Sequence, residues 1–138
     1  MHIWVFGGTA AGKKYFIREA LKRDEFRGYV PAWIEDGDPA EAELDGENLL
    51  IRWQWRREFT LHEMAATTTQ RIVLVQTAAE CQYYQAIARE GEEKWDMDAL
   101  RLEALAVEWL ALGLSHFCNL PLFRVNPHAD VAYEEIVT

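Results

Sequence analysis

Two glycines and a lysine stand at fixed spacing near the start of the chain, in the segment Gly7-Gly8-Thr9-Ala10-Ala11-Gly12-Lys13-Lys14. Small residues allow backbone N–H groups to turn inwards around an anion, and a helix that begins near Gly12 would point its positive end at the same place. Lys13 would neutralise the outer phosphates of a bound polyphosphate. The spacing therefore predicts a phosphate-binding loop. The alternative is a glycine-rich turn that binds nothing.

Acidic residues that follow an apolar run provide candidate metal ligands. Asp36 and Asp38 come after the run at 29–33 and lie two residues apart, so they would project similarly if the strand continued. Carboxylates suit Mg²⁺, which is a hard cation that often binds one or two protein carboxylates together with phosphates. The alternative is a solvated acidic turn that ends the strand. We favour the turn, and keep both residues as candidate metal ligands.

Positive side chains could close over a transferring phosphate, because phosphoryl transfer depends on positioning and on neutralising negative charge. Arg89 and Arg101 are the candidates from the region between the fourth and fifth apolar runs. The segment 52–57 alternates arginine with tryptophan, a pattern that can bind nucleic acid or stack a base. In a chain with an excess of acidic residues, core tryptophans flanked by surface arginines are the favoured interpretation.

The elements that must position these residues alternate along the chain. Short apolar runs predict strands at 3–6, 29–33, 49–55, 72–75 and 122–125. Helix-like periodicity lies between them, at 13–22, 59–69, 78–89 and 98–117. This alternation predicts one α/β domain over residues 1–138, with about five mainly parallel strands and helices on both faces. Ligands of such sheets bind beyond the carboxyl ends of the strands, where the glycine loop also falls.

The strand, glycine loop and helix in the first 22 residues resemble the P-loop kinase group, which includes adenylate kinases, shikimate kinase and other small metabolite kinases. The segment 71–80 is similar to the fourth strand of those enzymes and the helix after it. Residues 122–127 resemble their last strand and the loop that packs on adenine, which implies a contact with the nucleotide for Asn126 and Pro127. The resemblance implies a three-layer P-loop fold that binds ATP and Mg²⁺.

Two features depart from the pattern of that group. Lys14 stands where P-loop proteins often carry a serine or threonine whose hydroxyl touches Mg²⁺. The run at 49–55 contains no acid, although the resemblance implies one at the end of that strand. Lys14 either adds charge beside the phosphates or points to solvent, and we favour solvent. Both departures weaken the metal site and leave nucleotide binding possible.

The overall charge narrows the choice of partners. The chain has 14 Lys and Arg against 23 Asp and Glu, which gives a net charge of −9. Such a balance argues against binding nucleic acid or an anionic membrane by bulk charge. The apolar run at the N-terminus is too short for a signal peptide, and no stretch is apolar enough to span a bilayer. We therefore expect a cytoplasmic protein whose partners are a nucleotide and a small-molecule acceptor.

Three functional hypotheses remain open. The first is an ATP-dependent kinase for a nucleoside, nucleotide or metabolite, in which Lys13 neutralises phosphates, Asp36 or Asp38 handles metal or the acceptor hydroxyl, and Arg89 or Arg101 closes over the site. The second is a degenerate member of the same fold that acts as a non-catalytic nucleotide-binding or protein-interaction module. The third, which the net charge disfavours, is a kinase acting on nucleic-acid ends.

Overall fold

Strands and helices alternate along the chain in the computed structural model, which describes residues 1–33, 48–53, 69–91, 96–127 and 134–136. The strands are β1 (His2–Phe6), β2 (Val30–Trp33), β3 (Leu49–Arg52), β4 (Thr69–Val75), β5 (Leu122–Val125) and β6 (Glu134–Ile136). The helices are α1 (Lys13–Ala20), α2 (Ala79–Glu90) and α3 (Met97–Cys118), with a short 3-10 turn at Asp24–Phe26.

The strands form one sheet in the order β2-β3-β1-β4-β5-β6. The first five strands run parallel, and β6 pairs antiparallel with β5. All five residues of β1 are buried, since this strand lies between β3 and β4 with both faces covered. The predicted α/β class with a mainly parallel sheet is confirmed, and β6 is a strand that the sequence did not indicate.

Alternate side chains of the central strands enter two separate cores, because successive residues of a strand point to opposite faces. Ile3 and Val5 of β1 pack on one face with Phe16, Ile17 and Ala20 of α1. On the other face, Trp4 and Phe6 of β1 pack with three residues of α3, which are Val107, Ala111 and Leu114. The sheet therefore has helices on both faces, as predicted.

The topology has its switch point between β1 and β4, where open α/β sheets form a crevice. The connection that leaves β1 passes through α1 on one face, whereas the connection that leaves β4 passes through α2 and α3, and α3 covers the opposite face. Both strands are adjacent and parallel. Adjacent parallel strands whose connections diverge in this way open a space at their carboxyl ends, and ligands of open α/β sheets bind there. The glycine loop follows β1 at this position.

Helix α3 contacts the sheet with a narrower stripe than its sequence suggests. The buried residues on it are Leu100, Val107, Ala111, Leu114 and Ser115. Three other apolar residues of this helix are exposed: Leu102, Leu105 and Trp109. None of the helices among the described residues is long and apolar enough to cross a lipid bilayer.

The predicted element bounds agree closely with the structure at most positions. The run at 49–55 ends as a strand at Arg52, and residues 54–55 are outside the described part of the chain. The helix predicted at 59–69 also lies outside it, except for Thr69, which instead begins β4. Asp36 and Asp38 fall in the undescribed segment 34–47.

Candidate functional site

The loop between β1 and α1 contains two residues in the left-handed region. Ala10 has φ 58° and Gly12 has φ 100°, and such conformations are uncommon for a residue with a side chain. The Ala11 N–H donates to the Gly8 carbonyl at 3.1 Å, and the Phe16 N–H donates to the Gly12 carbonyl at 2.8 Å, in the first turn of α1. A left-handed residue between turns directs successive N–H groups into one concavity, which is the geometry of an anion-binding nest.

Both glycines at the start of the loop are closely packed. A Cβ on Gly7 would lie 3.0 Å from the backbone oxygen of Val75, at the end of β4. A Cβ on Gly8 would lie 2.9 Å from Gln82 Nε2 and 3.0 Å from Glu103 Oε1. The loop therefore approaches β4, α2 and α3 at distances that a side chain would obstruct.

The Lys13 side chain lies over the loop that precedes it. Its ammonium group donates to the carbonyl oxygens of Gly7 at 2.6 Å and Gly8 at 3.2 Å. Burial, and after it the positive charge of Arg52, lower the pKa of Lys13 to about 8, with Glu103 acting in the opposite direction and Arg89 adding to the decrease. At neutral pH the amine is still mostly protonated and can neutralise an anion in the loop.

Two arginines surround Lys13 from different elements. Arg52 is the last residue of β3, lies beside Val5 of β1 in the sheet register, and is buried. Burial, with a contribution from the charge of Arg89, lowers the pKa of Arg52 to about 10. Arg89 is exposed near the end of α2. The positive charges of Arg52 and Arg89 both disfavour the protonated form of Lys13, and that of Arg89 also disfavours the protonated form of Arg52.

A glutamate of α3 contacts the same loop. The Thr9 N–H donates to Glu103 Oε1, and the Thr9 hydroxyl donates to Glu103 Oε2 at 3.1 Å. Glu103 is partly buried, and its negative charge favours the protonated form of Lys13. The carboxylate therefore receives two hydrogen bonds from the loop that the sequence predicts to bind phosphate.

The other side of Thr9 is held by α2. Gln82 lies in the first turn of this helix, is buried, and donates from Nε2 to the Thr9 carbonyl at 2.6 Å. Thr9 is consequently bound through its N–H and hydroxyl to α3 and through its carbonyl to α2. These contacts fix the loop against both helices.

The remaining predicted residues lie in different places. Arg101 is half exposed and forms ion pairs with Glu80 at 3.6 Å and Asp98 at 3.7 Å, on the surface of α2 and α3. Asn126 and Pro127 follow β5 at the same edge of the sheet as the loop, with β4 between β5 and β1. Lys14 is exposed on α1.

A metal site is not assembled in the described part of the chain, where no group of three His, Cys, Asp or Glu side chains is placed to hold an ion. Asp36 and Asp38, the residues predicted as ligands, are outside that part. The acid that the resemblance implies at the end of β3 is replaced by Arg52 and the buried Trp53. The carboxylate at the loop comes from α3 instead.

Three residues of this site, Glu103, Arg52 and Gln82, are not among the candidates that the sequence predicts. Glu103 carries a signal that could have identified it, because it occurs at helical spacing between the buried Leu100 and Val107, where an acid needs a polar partner. The favoured interpretation of the segment 52–57 places Arg52 at the surface, which is wrong, because the structure buries Arg52 beside Val5 of β1. Nothing in the pattern around Gln82 indicates its contact with Thr9.

Comparison of the sequence with protein-family models gives no match, and comparison with curated proteins gives no significant match. The chemistry of the site therefore has to be argued from its own geometry.

Proposed function

We propose that the protein binds ATP through the loop at 7–14 and acts as a kinase-like phosphotransferase on a small nucleoside, nucleotide or metabolite. The observation that carries this proposal is the grouping of Lys13, Arg52 and Arg89 at a left-handed glycine loop between β1 and β4. Burial of the like charges of Lys13 and Arg52 is costly, and an anion at the loop would offset that cost. A polyphosphate would supply several negative charges close to Lys13.

The loop provides hydrogen-bond donors as well as charge. The N–H groups that follow Gly8 precede α1, whose positive end adds to the attraction for an anion. Small residues at Gly7 and Gly8 let the backbone approach the phosphates, and the sheet topology supports a crevice at this position. The parallel sheet with helices on both faces agrees with the proposed P-loop fold.

Phosphoryl transfer at this site would rest on charge neutralisation and positioning. Lys13 would release the carbonyls of Gly7 and Gly8 and hold the outer phosphates, while Arg52 and Arg89 would stabilise the negative charge that develops on the transferring group. Mg²⁺, which such reactions use to neutralise phosphate oxygens, would be held by the nucleotide and by the predicted ligands Asp36 and Asp38, which lie outside the described residues.

A second candidate is a non-catalytic nucleotide-binding or interaction module. Two observations favour it, the replacement of the acid after β3 by Arg52 and Trp53 and the presence of a carboxylate on the loop. Both features reduce the fit for a metal–nucleotide complex without removing the three cations. Metal dependence separates the two candidates, because a kinase requires Mg²⁺ for phosphoryl transfer whereas a binding module has little need of it.

The test is a calorimetric titration of the protein with ATP, with and without Mg²⁺. Lys13→Ala removes the amine at the loop and is expected to abolish saturable binding. Lys22→Ala is the matched control, because Lys22 forms only a surface ion pair with Glu19 at 3.1 Å and should leave affinity unchanged. Absence of binding at about millimolar ATP, or an equal loss in both variants, contradicts the proposal.

A further inference from the structure

The Glu103 carboxylate occupies the loop in the manner of a bound anion. It accepts both from the Thr9 N–H and from the Thr9 hydroxyl, so its two oxygens receive hydrogen bonds as two oxygens of a phosphate would. A Cβ on Gly8 would lie 3.0 Å from Glu103 Oε1, which shows how closely the loop backbone approaches the carboxylate. A phosphate at these donors and the Glu103 side chain need the same space.

Charge gives Glu103 a role in the loop without ligand. Lys13, Arg52 and Arg89 are mutually repulsive, and the negative charge of Glu103 favours the protonated amine of Lys13. When a polyphosphate binds, the three cations obtain a better counter-ion, and the carboxylate becomes a like charge beside the incoming phosphates. Glu103 therefore stabilises the ligand-free form of the loop and destabilises the ligand-bound form.

The helix that carries Glu103 holds it in place. Leu100 and Val107, which flank Glu103 on α3, are both buried, and Val107 packs on the sheet. Asp96 caps the start of the helix by accepting from the Ala99 N–H at 2.7 Å. Gln82 of α2 fixes Thr9 from the other side through its bond to the Thr9 carbonyl. The contact is thus made by a residue in the interior of α3 to a loop that α2 also holds.

We propose that Glu103 is a built-in competitor for the phosphate loop, which must leave the Thr9 donors before a polyphosphate can bind. This inference rests on the proposed nucleotide-binding function and adds its regulation. Binding is then coupled to the position of α3, because any change that moves α3 away from the loop frees the same donors. The chemical class of the ligand that displaces Glu103 is an inorganic or nucleoside polyphosphate.

The experiment compares the affinity of inorganic triphosphate and of ATP for the wild-type protein and three variants. Glu103→Gln keeps the shape and removes the charge, and Glu103→Asp keeps the charge and shortens the side chain by one methylene. Glu108→Gln is the matched control, since Glu108 lies on the same helix and bonds Arg124 instead of the loop. We expect both Glu103 variants to bind triphosphate about tenfold more tightly, and the control to bind it as the wild type does.

Thermal unfolding supplies a second readout that moves in the opposite direction. Without ligand, Glu103→Gln is expected to melt at a lower temperature than the wild type, because Lys13 loses the negative charge that favours its protonated form. With saturating triphosphate, it should gain more in melting temperature than the wild type does. A variant that only damaged the fold would lower both the stability and the affinity.

The outcomes separate this inference from the proposed function. If the wild type binds ATP in a Lys13-dependent way and the Glu103 variants bind equally or more weakly, the competitor role is wrong and the function stands. Weaker binding that appears only with Mg²⁺ would instead assign Glu103 to the metal. If neither the wild type nor any Glu103 variant binds ATP or triphosphate, both proposals are overturned.

Discussion

Two glutamates of α3 make contacts of different kinds, although they are only five residues apart. Glu108 pairs with Arg124 of β5 at 2.7 Å, an ordinary ion pair between partly exposed side chains. Glu103 instead bonds the backbone and hydroxyl of Thr9 in a loop surrounded by cations. The first contact joins a helix to a strand, whereas the second fills a position suited to an external anion. The difference shows that the partner, and not the residue type, gives a carboxylate its role.

The largest expected effect comes from removing buried packing on α3, the helix that carries both glutamates. Leu100 is fully buried one turn before Glu103, so Leu100→Ala should remove packing that anchors α3 and lower the free energy of unfolding by about 2–5 kcal/mol. Leu102→Ala is the control, because this neighbour on the same helix is exposed and should change stability by less than about 0.5 kcal/mol. Chemical denaturation measures both variants. Equal losses would show that α3 is not anchored on its Leu100 side.

The pH dependence of ligand affinity tests the role of the loop, where Lys13 lies close to Glu103. The pKa of Lys13 is lowered to about 8, and a bound triphosphate would raise it by favouring the protonated amine. Above that pH, binding must take up a proton, so affinity should fall about tenfold per pH unit. ATP is the ligand for this titration, because its terminal phosphate has a second pKa of about 6 and is ionised over most of this range. The measurement is calorimetry from about pH 7 to about pH 9.5.

Lys13→Arg is the control for this profile, because a guanidinium remains protonated over the whole range. The affinity of the Lys13→Arg variant for the ligand should be nearly independent of pH, whether it is higher or lower than that of the wild type. The Glu108→Gln variant should retain the wild-type slope, since that carboxylate pairs with Arg124. A wild-type affinity that does not change above about pH 8 would mean that the protonated amine of Lys13 does not neutralise the negative charge of the ligand.

Two glycine-to-alanine variants compare the crowded loop with the open part of α3. Gly8→Ala should lower the free energy of unfolding by about 1 kcal/mol, because the side chains of Gln82 and Glu103 must shift to admit the new methyl group. Gly113→Ala, in open space on α3, should raise it by about 0.5–1 kcal/mol, since alanine favours the helix. Thermal unfolding distinguishes the signs. A stabilising Gly8→Ala would show that Glu103 does not approach the loop closely.

The smallest effect concerns the ordinary ion pair. Glu108→Gln should cost about 1 kcal/mol or less, because Arg124 is partly exposed and water screens the pair. The loss should shrink further at high salt, whereas the destabilisation caused by Glu103→Gln in the ligand-free protein should persist because that carboxylate is bonded to the backbone. Unfolding in low and high salt tests this difference. A salt-insensitive loss at Glu108 would contradict the assignment.

The sequence by itself determined the elements and the position of the loop. Apolar runs and helical periodicity located five strands and three helices close to their observed bounds, because the spacing of apolar residues within a short segment indicates whether it forms a strand or a helix. The spacing of Gly7, Gly12 and Lys13 selected the segment that the fold places at the crevice between β1 and β4. Glu103, by contrast, stood in the sequence only as an interruption of an apolar helix.

Tertiary structure decided which charges meet. Arg52, Arg89 and Glu103 come from three elements far apart in the chain, and only the packing of β3, α2 and α3 around the loop brings them near Lys13. Packing also buried one side of α3 and left Leu102 and Trp109 exposed, although both are apolar. Periodicity reports which residues share a face of one element, whereas the identity of the facing element depends on contacts between distant segments. The residues that define this site are therefore visible only in the folded chain.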